Sequence, residues 1–143
     1  MIVLDTNVIS ELVKIDLDDN VRRWMQRQPS ADLYLCDIVV MEQSFGAERF
    51  VLRTGSDKYL RKLDDTVSRF QGRILGFSHA DAISAGQLRA HRESTGRAMS
   101  VQDAMIAAIC LSSDATLATR NTKDFAGLDL RLLNPFEEPT ANH

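Results

Sequence analysis

Short runs of strand-forming residues alternate with longer stretches of helical period along this chain, and that alternation restricts the fold more than any other feature. Ile2-Val3-Leu4 is bounded by the turn formers Asp5-Thr6-Asn7, after which Val8, Ile9, Leu12 and Val13 recur at helical spacing. Asp18-Asp19-Asn20 offers caps for a second helix carrying Val21, Trp24 and Met25, ended by Gln28-Pro29-Ser30. Leu33-Tyr34-Leu35-Cys36 reads as the second strand. Asp37 caps a third helix running through Glu42 toward Leu52 and stopped near Gly55, and Asp57 caps a fourth with Leu60, Leu63, Val67 and Phe70 on one face. A third strand is expected at 73–77, then a helix from Ser78 to about Thr95 broken by Gly96. Ser100 opens a sixth helix over 101–111, followed by a strand at 115–119, a polar loop and a last short strand at 131–133 before Pro135. The fold class this predicts is α/β: a parallel sheet joined by right-handed crossovers with helices on both faces, an αβα sandwich.

At 143 residues with 44% hydrophobic and 26% charged residues, the chain is sized for one domain, expected over 1–136, with a short tail at 137–143 that frays. No apolar stretch approaches the roughly 20 residues that span a bilayer, and an acid interrupts the first apolar run, so neither a membrane segment nor a secretory leader is expected and the location is read as cytoplasmic. Cys36 and Cys110 lie far apart in apolar surroundings and are expected as buried thiols. The net charge of -3 carries none of the strong positive field of a dedicated nucleic-acid binder, yet 13 of the 17 basic residues are arginine, the side chain suited to bidentate phosphate contacts. They group as Arg22, Arg23 and Arg27, as Arg49 and Arg53 with Lys58, Arg61 and Lys62, and as Arg89, Arg92 and Arg97. The plain alternative is a set of solvated helix faces paired with neighbours such as Asp57, Asp64 and Asp65.

Open parallel sheets bind ligands beyond the carboxyl ends of their strands. Asp5 follows the first strand directly, Asp124 lies in the loop after the 115–119 strand, and Glu42 and Asp103 sit in the opening turns of helices that leave the same edge. Each has a structural alternative. Asp5 serves as a helix cap, Ser100-Val101-Gln102-Asp103 matches a capping box, Glu42 marks the wet side of an apolar helix, and Asp124 is an ordinary loop acid. His79, His91 and His143 share no ligand spacing, and no Ser-His or Cys-His pair stands out, which argues against zinc and nucleophilic chemistry.

Coulomb's law gives the joint placement its meaning. Two carboxylates ~5 Å apart repel by roughly 3 kcal/mol at an effective dielectric of about 20, so the six pairs among four acids sum to an upper bound of about 20 kcal/mol. That rivals a domain's whole stability of about 5 to 15 kcal/mol. Such a cluster takes up protons or cations, and oxygen-only ligands select hard Mg²⁺ or Mn²⁺, which accept phosphate oxygens. The chemistry implied is phosphodiester hydrolysis. Thr6, Asn7, Ser100, Arg120 and Asn121 border the same edge as candidates for supporting or substrate contacts, with turn and cap roles as the alternative.

The stretch from Met1 through Asp5-Thr6-Asn7 to Leu12, the Glu42 helix, the block from Ser100 to Ala108, and the block Ala115-Thr116-Leu117-Ala118-Thr119-Arg120-Asn121-Thr122-Lys123-Asp124-Phe125 together resemble a PIN domain, more narrowly the VapC/FitB branch of type II toxins. The resemblance extends from Met1 to about Pro135. It implies an Mg²⁺- or Mn²⁺-dependent ribonuclease whose acids correspond to Asp5, Glu42, Asp103 and Asp124, supported by Thr6, Asn7 and Asn121. It further implies a homodimer paired with a VapB-like antitoxin in a toxin-antitoxin hetero-oligomer, and cleavage of tRNA or another structured RNA that stops translation. One departure is Met41-Glu42-Gln43 where the family usually reads Ala-Glu-Leu, which leaves Gln43 facing a partner or a polar groove.

Two other readings compete. Haloacid-dehalogenase phosphatases also place an aspartate after the first strand, but their second aspartate would fall at Asn7. A non-catalytic adaptor would use the acids to bind Mg²⁺ and shape a protein surface.

Overall fold

In the computed structural model, which describes residues 1–139, five strands form one sheet in the order β3-β2-β1-β4-β5, with all neighbours parallel. They are β1 (Ile2–Leu4), β2 (Leu33–Cys36), β3 (Ile74–Leu75), β4 (Thr116–Ala118) and β5 (Leu132–Leu133). The helices are α1 (Thr6–Leu12), α2 (Asp19–Arg27), α3 (Asp37–Thr54), α4 (Lys58–Arg69), α5 (His79–Ser94) and α6 (Val101–Ser112). The expected tail at 137–143 falls largely on 140–143, which with His143 lie outside the described residues.

The strand order explains the layers. The chain steps from β1 outward to β2 and β3 through α1 to α4, then returns across β1 to β4 through α5 and α6. Right-handed crossovers in opposite directions lay the two helix groups on opposite faces. α3 packs on α4 and on α1, while α5 packs on α6. No helix among the described residues is long and apolar enough to cross a membrane.

β1 is wholly apolar and β4 is apolar after Thr116, and the last two residues of each are buried, as sandwiched parallel strands require. Val3, Leu4, Leu35, Ile106, Ile109, Leu117 and Phe125 form the fully enclosed centre. Cys36 and Cys110 are free thiols in that core, and burial pushes Cys36 up to about 11 and Cys110 upward as well.

Three local departures from the expected elements matter for the site. No turn separates β1 from α1: Asp5 is itself the N-cap and Thr6 and Asn7 are already helical. Asp37 is the first residue of α3, whose cap position is Cys36. Short 3-10 helices at Ser30–Asp32 and Thr122–Phe125 were not expected, and the second carries Asp124.

Candidate active site

The sheet reverses its winding between β1 and β4, and the acids gather at the carboxyl ends of those two strands. Asp5 is 5% exposed at the end of β1, and its amide continues the ladder by donating to Ala118 O at 2.9 Å. Its carboxylate is held by three donors: Thr6 N at 2.8 Å, Asn7 Nδ2 at 3.4 Å and Thr119 Oγ1 at 2.7 Å.

Thr119, one residue past β4 and wholly buried, ties this corner together. Its hydroxyl donates to Asp5 and accepts from Asn7 Nδ2 at 3.2 Å and from Asn121 N at 3.0 Å. Asn7 Oδ1 in turn accepts from Arg120 N at 3.0 Å. The end of β1, the start of α1 and the segment after β4 are thus fixed on one hydroxyl and one amide. Sequence reasoning passed over Thr119 as the last residue of a strand. A hydroxyl at the carboxyl end of a central strand, where an apolar residue would otherwise continue the core, was the available signal.

The four acids form one electrostatic set. Burial raises the Asp5 pKa most, against the pull of its three hydrogen bonds, and Asp124 adds to the rise. Burial raises Glu42, with Asp5 and Asp103 adding to it. Burial also raises Asp103, with Asp5 and Asp124 repelling its charge and Arg92 favouring it. Asp124 is exposed on its 3-10 helix. Among the described residues, no three of these acids lie within the span of one directly liganded ion. Mg²⁺ commonly keeps several waters and is held through one or two carboxylates plus substrate phosphates, so a water-bridged ion suits this donor set. Thr6 Oγ1 fits the same picture. It is buried without a hydrogen-bond partner inside the usual distance, beside Glu42, whose pKa it draws down.

The other candidates divide. Ser100 caps α6 by accepting from Asp103 N at 3.0 Å, and its hydroxyl also favours the charged Asp103 carboxylate; the reciprocal half of a capping box, at Ser100 N, is missing. Ser78 and Asp81 make both halves on α5. Asn121 acts through its backbone, at the start of the 3-10 helix. The Arg120 guanidinium stacks 3.8 Å from the Phe136 ring centroid. Gln43 donates to Ser10 Oγ at 3.0 Å and to Thr6 O at 3.5 Å, bracing α3 against α1 at the mouth of a cleft of about 390 Å³. That cleft leads away from Thr6 and Glu42 between α1, α3 and α4.

Arg92, 8% exposed, stands behind Asp103. Its Nε donates to Arg97 O at 3.0 Å and its Nη1 to Ala126 O at 3.1 Å. It thereby joins the approach to α6 to the end of the 3-10 helix that carries Asp124. Its functional connection was not expected from its place in an arginine-rich stretch.

Residues 2–129 match the PIN domain family. The chain is 34% identical to the VapC ribonuclease Y4jK of Sinorhizobium fredii over 96% of its own length and 99% of that protein's. It is 33% identical to the Toxin FitB of Neisseria gonorrhoeae, covering 96% of this chain and 100% of the toxin. The solved structure of FitAB bound to an IR36 DNA fragment superposes with a TM-score of 0.88 at 31% identity, covering 99% of this chain and 100% of that one.

Proposed function

The chain belongs to the PIN-domain family, and on that premise we propose that it is a divalent-metal-dependent endoribonuclease acting as the toxin of a VapBC-type module. The observation that carries this reading is the single electrostatic set formed by Asp5, Glu42, Asp103 and Asp124 at the switch point of the sheet. Burial, with repulsion between the acids added to it, raises Asp5, Glu42 and Asp103, and such a set calls for a hard cation. These four are the residues that would hold Mg²⁺ or Mn²⁺, with the Thr6 hydroxyl facing the same space. When bound, such an ion lowers the pKa of water and neutralises charge on the scissile phosphate.

The chain's own residues supply geometry. Thr119, Asn7 and the Thr6 amide fix the Asp5 carboxylate in one orientation. Glu42 or Asp103, half-buried and with its pKa raised by burial and by neighbouring acids, accepts the proton released as water adds to phosphorus. The phosphorus–oxygen bond to the departing nucleotide breaks, and that oxygen takes up a proton. Asn7 occupies the position where a phosphatase of the haloacid-dehalogenase type would need its second aspartate, and its amide is committed to Asp5, Thr119 and Arg120.

The substrate is tRNA or another structured RNA, the outcome is arrest of translation, and the working form is a homodimer neutralised by a VapB-like antitoxin. The relatives named a ribonuclease and a toxin, together with the likeness to FitAB, support this reading. Expression in growing cells with and without a candidate antitoxin, followed by mapping of new RNA 5′ ends, tests toxicity, substrate and cut site together. In vitro, EDTA is expected to stop cleavage and Mn²⁺ to restore it. Activity that survives chelation returns the chain to the adaptor reading.

A further inference from the structure

On the hairpin of α3 and α4, Arg49, Arg53, Lys58 and Lys62 have no acidic partner within 4.0 Å among the described residues. They lie over aromatic faces instead. Arg49 is 5.4 Å from the Phe45 centroid, Arg53 5.3 Å from Phe50, Lys58 5.2 Å from Phe50 and 5.0 Å from Tyr59, and Lys62 5.4 Å from Tyr59. Phe50 and Tyr59 meet edge to face with centroids 4.8 Å apart. Arg61 differs: it pairs with Asp57 at 3.1 Å, the ordinary arrangement of a solvated helix face.

α3 lines this patch up with the acids. Glu42, Gly46, Arg49 and Arg53 recur at four, three and four residues, so they share one helix face. Along the axis Arg49 and Arg53 stand about 10 and 16 Å beyond Glu42. The cleft that begins at Thr6 and Glu42 shares Gly46 and Tyr59 with a second depression lined by Arg49 and Arg53, so the two make one continuous surface. A Cβ at Gly46 would meet nothing within 4 Å. Packing inside the chain therefore does not require this glycine, which is less favourable than alanine in a helix interior. Its bareness leaves room for something outside the chain.

We propose that this basic and aromatic face is a binding track for the single-stranded RNA that flanks the scissile phosphate, recognised without regard to base sequence. The inference rests on the ribonuclease reading. A phosphate backbone nearing four carboxylates is repelled by them, and a molecule of net charge -3 supplies no long-range attraction. Arg49, Arg53 and Lys58, a local row of cations without acidic partners, offset that repulsion, while Lys62 donates to Val13 O at 2.9 Å, and rings and guanidinium planes give every base a stacking surface.

The test uses the full chain carrying Asp5→Asn, which binds without cutting, titrated in Mg²⁺ with fluorescent oligouridylate and oligoadenylate. Replacing Arg49, Arg53 and Lys58 together by alanine is expected to weaken both by about tenfold or more, and to flatten log Kd against log salt by about 0.7 for each phosphate no longer neutralised. Gly46→Phe should weaken binding without lowering the melting temperature. Unchanged affinity and salt slope in the triple variant overturn the proposal. So does a triple variant that binds RNA normally but no longer holds a co-expressed VapB-like antitoxin, which would assign the face to protein. The ribonuclease reading is judged separately, by whether the wild-type chain cuts RNA in Mg²⁺ or Mn²⁺; the titration does not depend on cleavage.

Discussion

Asp5 and Thr119 show how a buried charge is kept usable. Burial drives the Asp5 carboxyl toward its neutral form, and the Thr119 hydroxyl is the strongest opposing influence. Thr119→Val removes that donor at nearly constant volume. We expect a loss of about 1 to 3 kcal/mol in stability, because the buried carboxylate loses its shortest hydrogen bond and Asn121 N loses its acceptor, read by thermal unfolding. The Asp5 pKa then rises further, so the acid limb of the cleavage pH profile moves to higher pH. Asp5→Asn is expected to abolish cleavage while leaving the fold intact or slightly more stable, because it removes one member of a like-charge group. A variant cutting RNA at the original rate in Mg²⁺ would remove the metal role from Asp5. The four acids themselves were legible from their positions after strands and in opening helical turns. The hub that orients them was not, because Thr119 is an ordinary strand-compatible residue whose partners lie 114 and 112 positions away.

Two helices begin with the same pattern, serine followed three residues later by aspartate, and use it differently. The Asp81 carboxylate accepts from the Ser78 amide and completes the box, whereas Asp103 leaves Ser100 N alone. Asp81→Asn is therefore expected to destabilise by about 0.5 to 1.5 kcal/mol. Asp103→Asn should cost little stability and most of the activity; unfolding curves and cleavage rates on the two variants separate the cases. The shared pattern explains why sequence alone left both readings of Asp103 open. Strand edges were similarly blurred. The expected strand at 73–77 contracts to Ile74–Leu75, and that at 131–133 to Leu132–Leu133. Each is an outer strand with one neighbour, so apolar composition there outruns the backbone pairing available to it. Among the central strands, β1 and β2 keep to their apolar runs, while the expected strand at 115–119 contracts to Thr116–Ala118, freeing Thr119 to turn its hydroxyl to Asp5. Arg92 shows an element-scale tie of another kind, since Arg92→Met would free both the loop before α6 and the 3-10 helix. A loss of about 2 kcal/mol is expected from two part-buried carbonyls losing a charged donor, with cleavage falling alongside; thermal melts and rate measurements check it.

For the molecule as a whole, Asp5, Glu42 and Asp103 make stability depend on pH in an unusual direction. Each has a folded pKa above its unfolded one, so in the window between the two the folded chain binds more protons, and stability falls as pH rises through it. The stability from these groups is full below the ordinary carboxylate range and is lost on approach to their raised values. Metal-free protein should therefore melt lower at neutral pH than at mildly acidic pH, and Mn²⁺ should close the gap at neutral pH while adding little in acid. Calorimetry with and without EDTA reads both effects, and a melting temperature that climbs steadily toward neutrality without metal would contradict them. The order of the strands carries one more consequence. β1 precedes β2 and β4 in the chain but lies between them, and the hydroxyl that orients Asp5 follows it 114 residues later. A nascent polypeptide stopped before Thr119 holds Asp5 with no scaffold around it, so synthesis itself delays the birth of the proposed cutting edge until β4 has emerged.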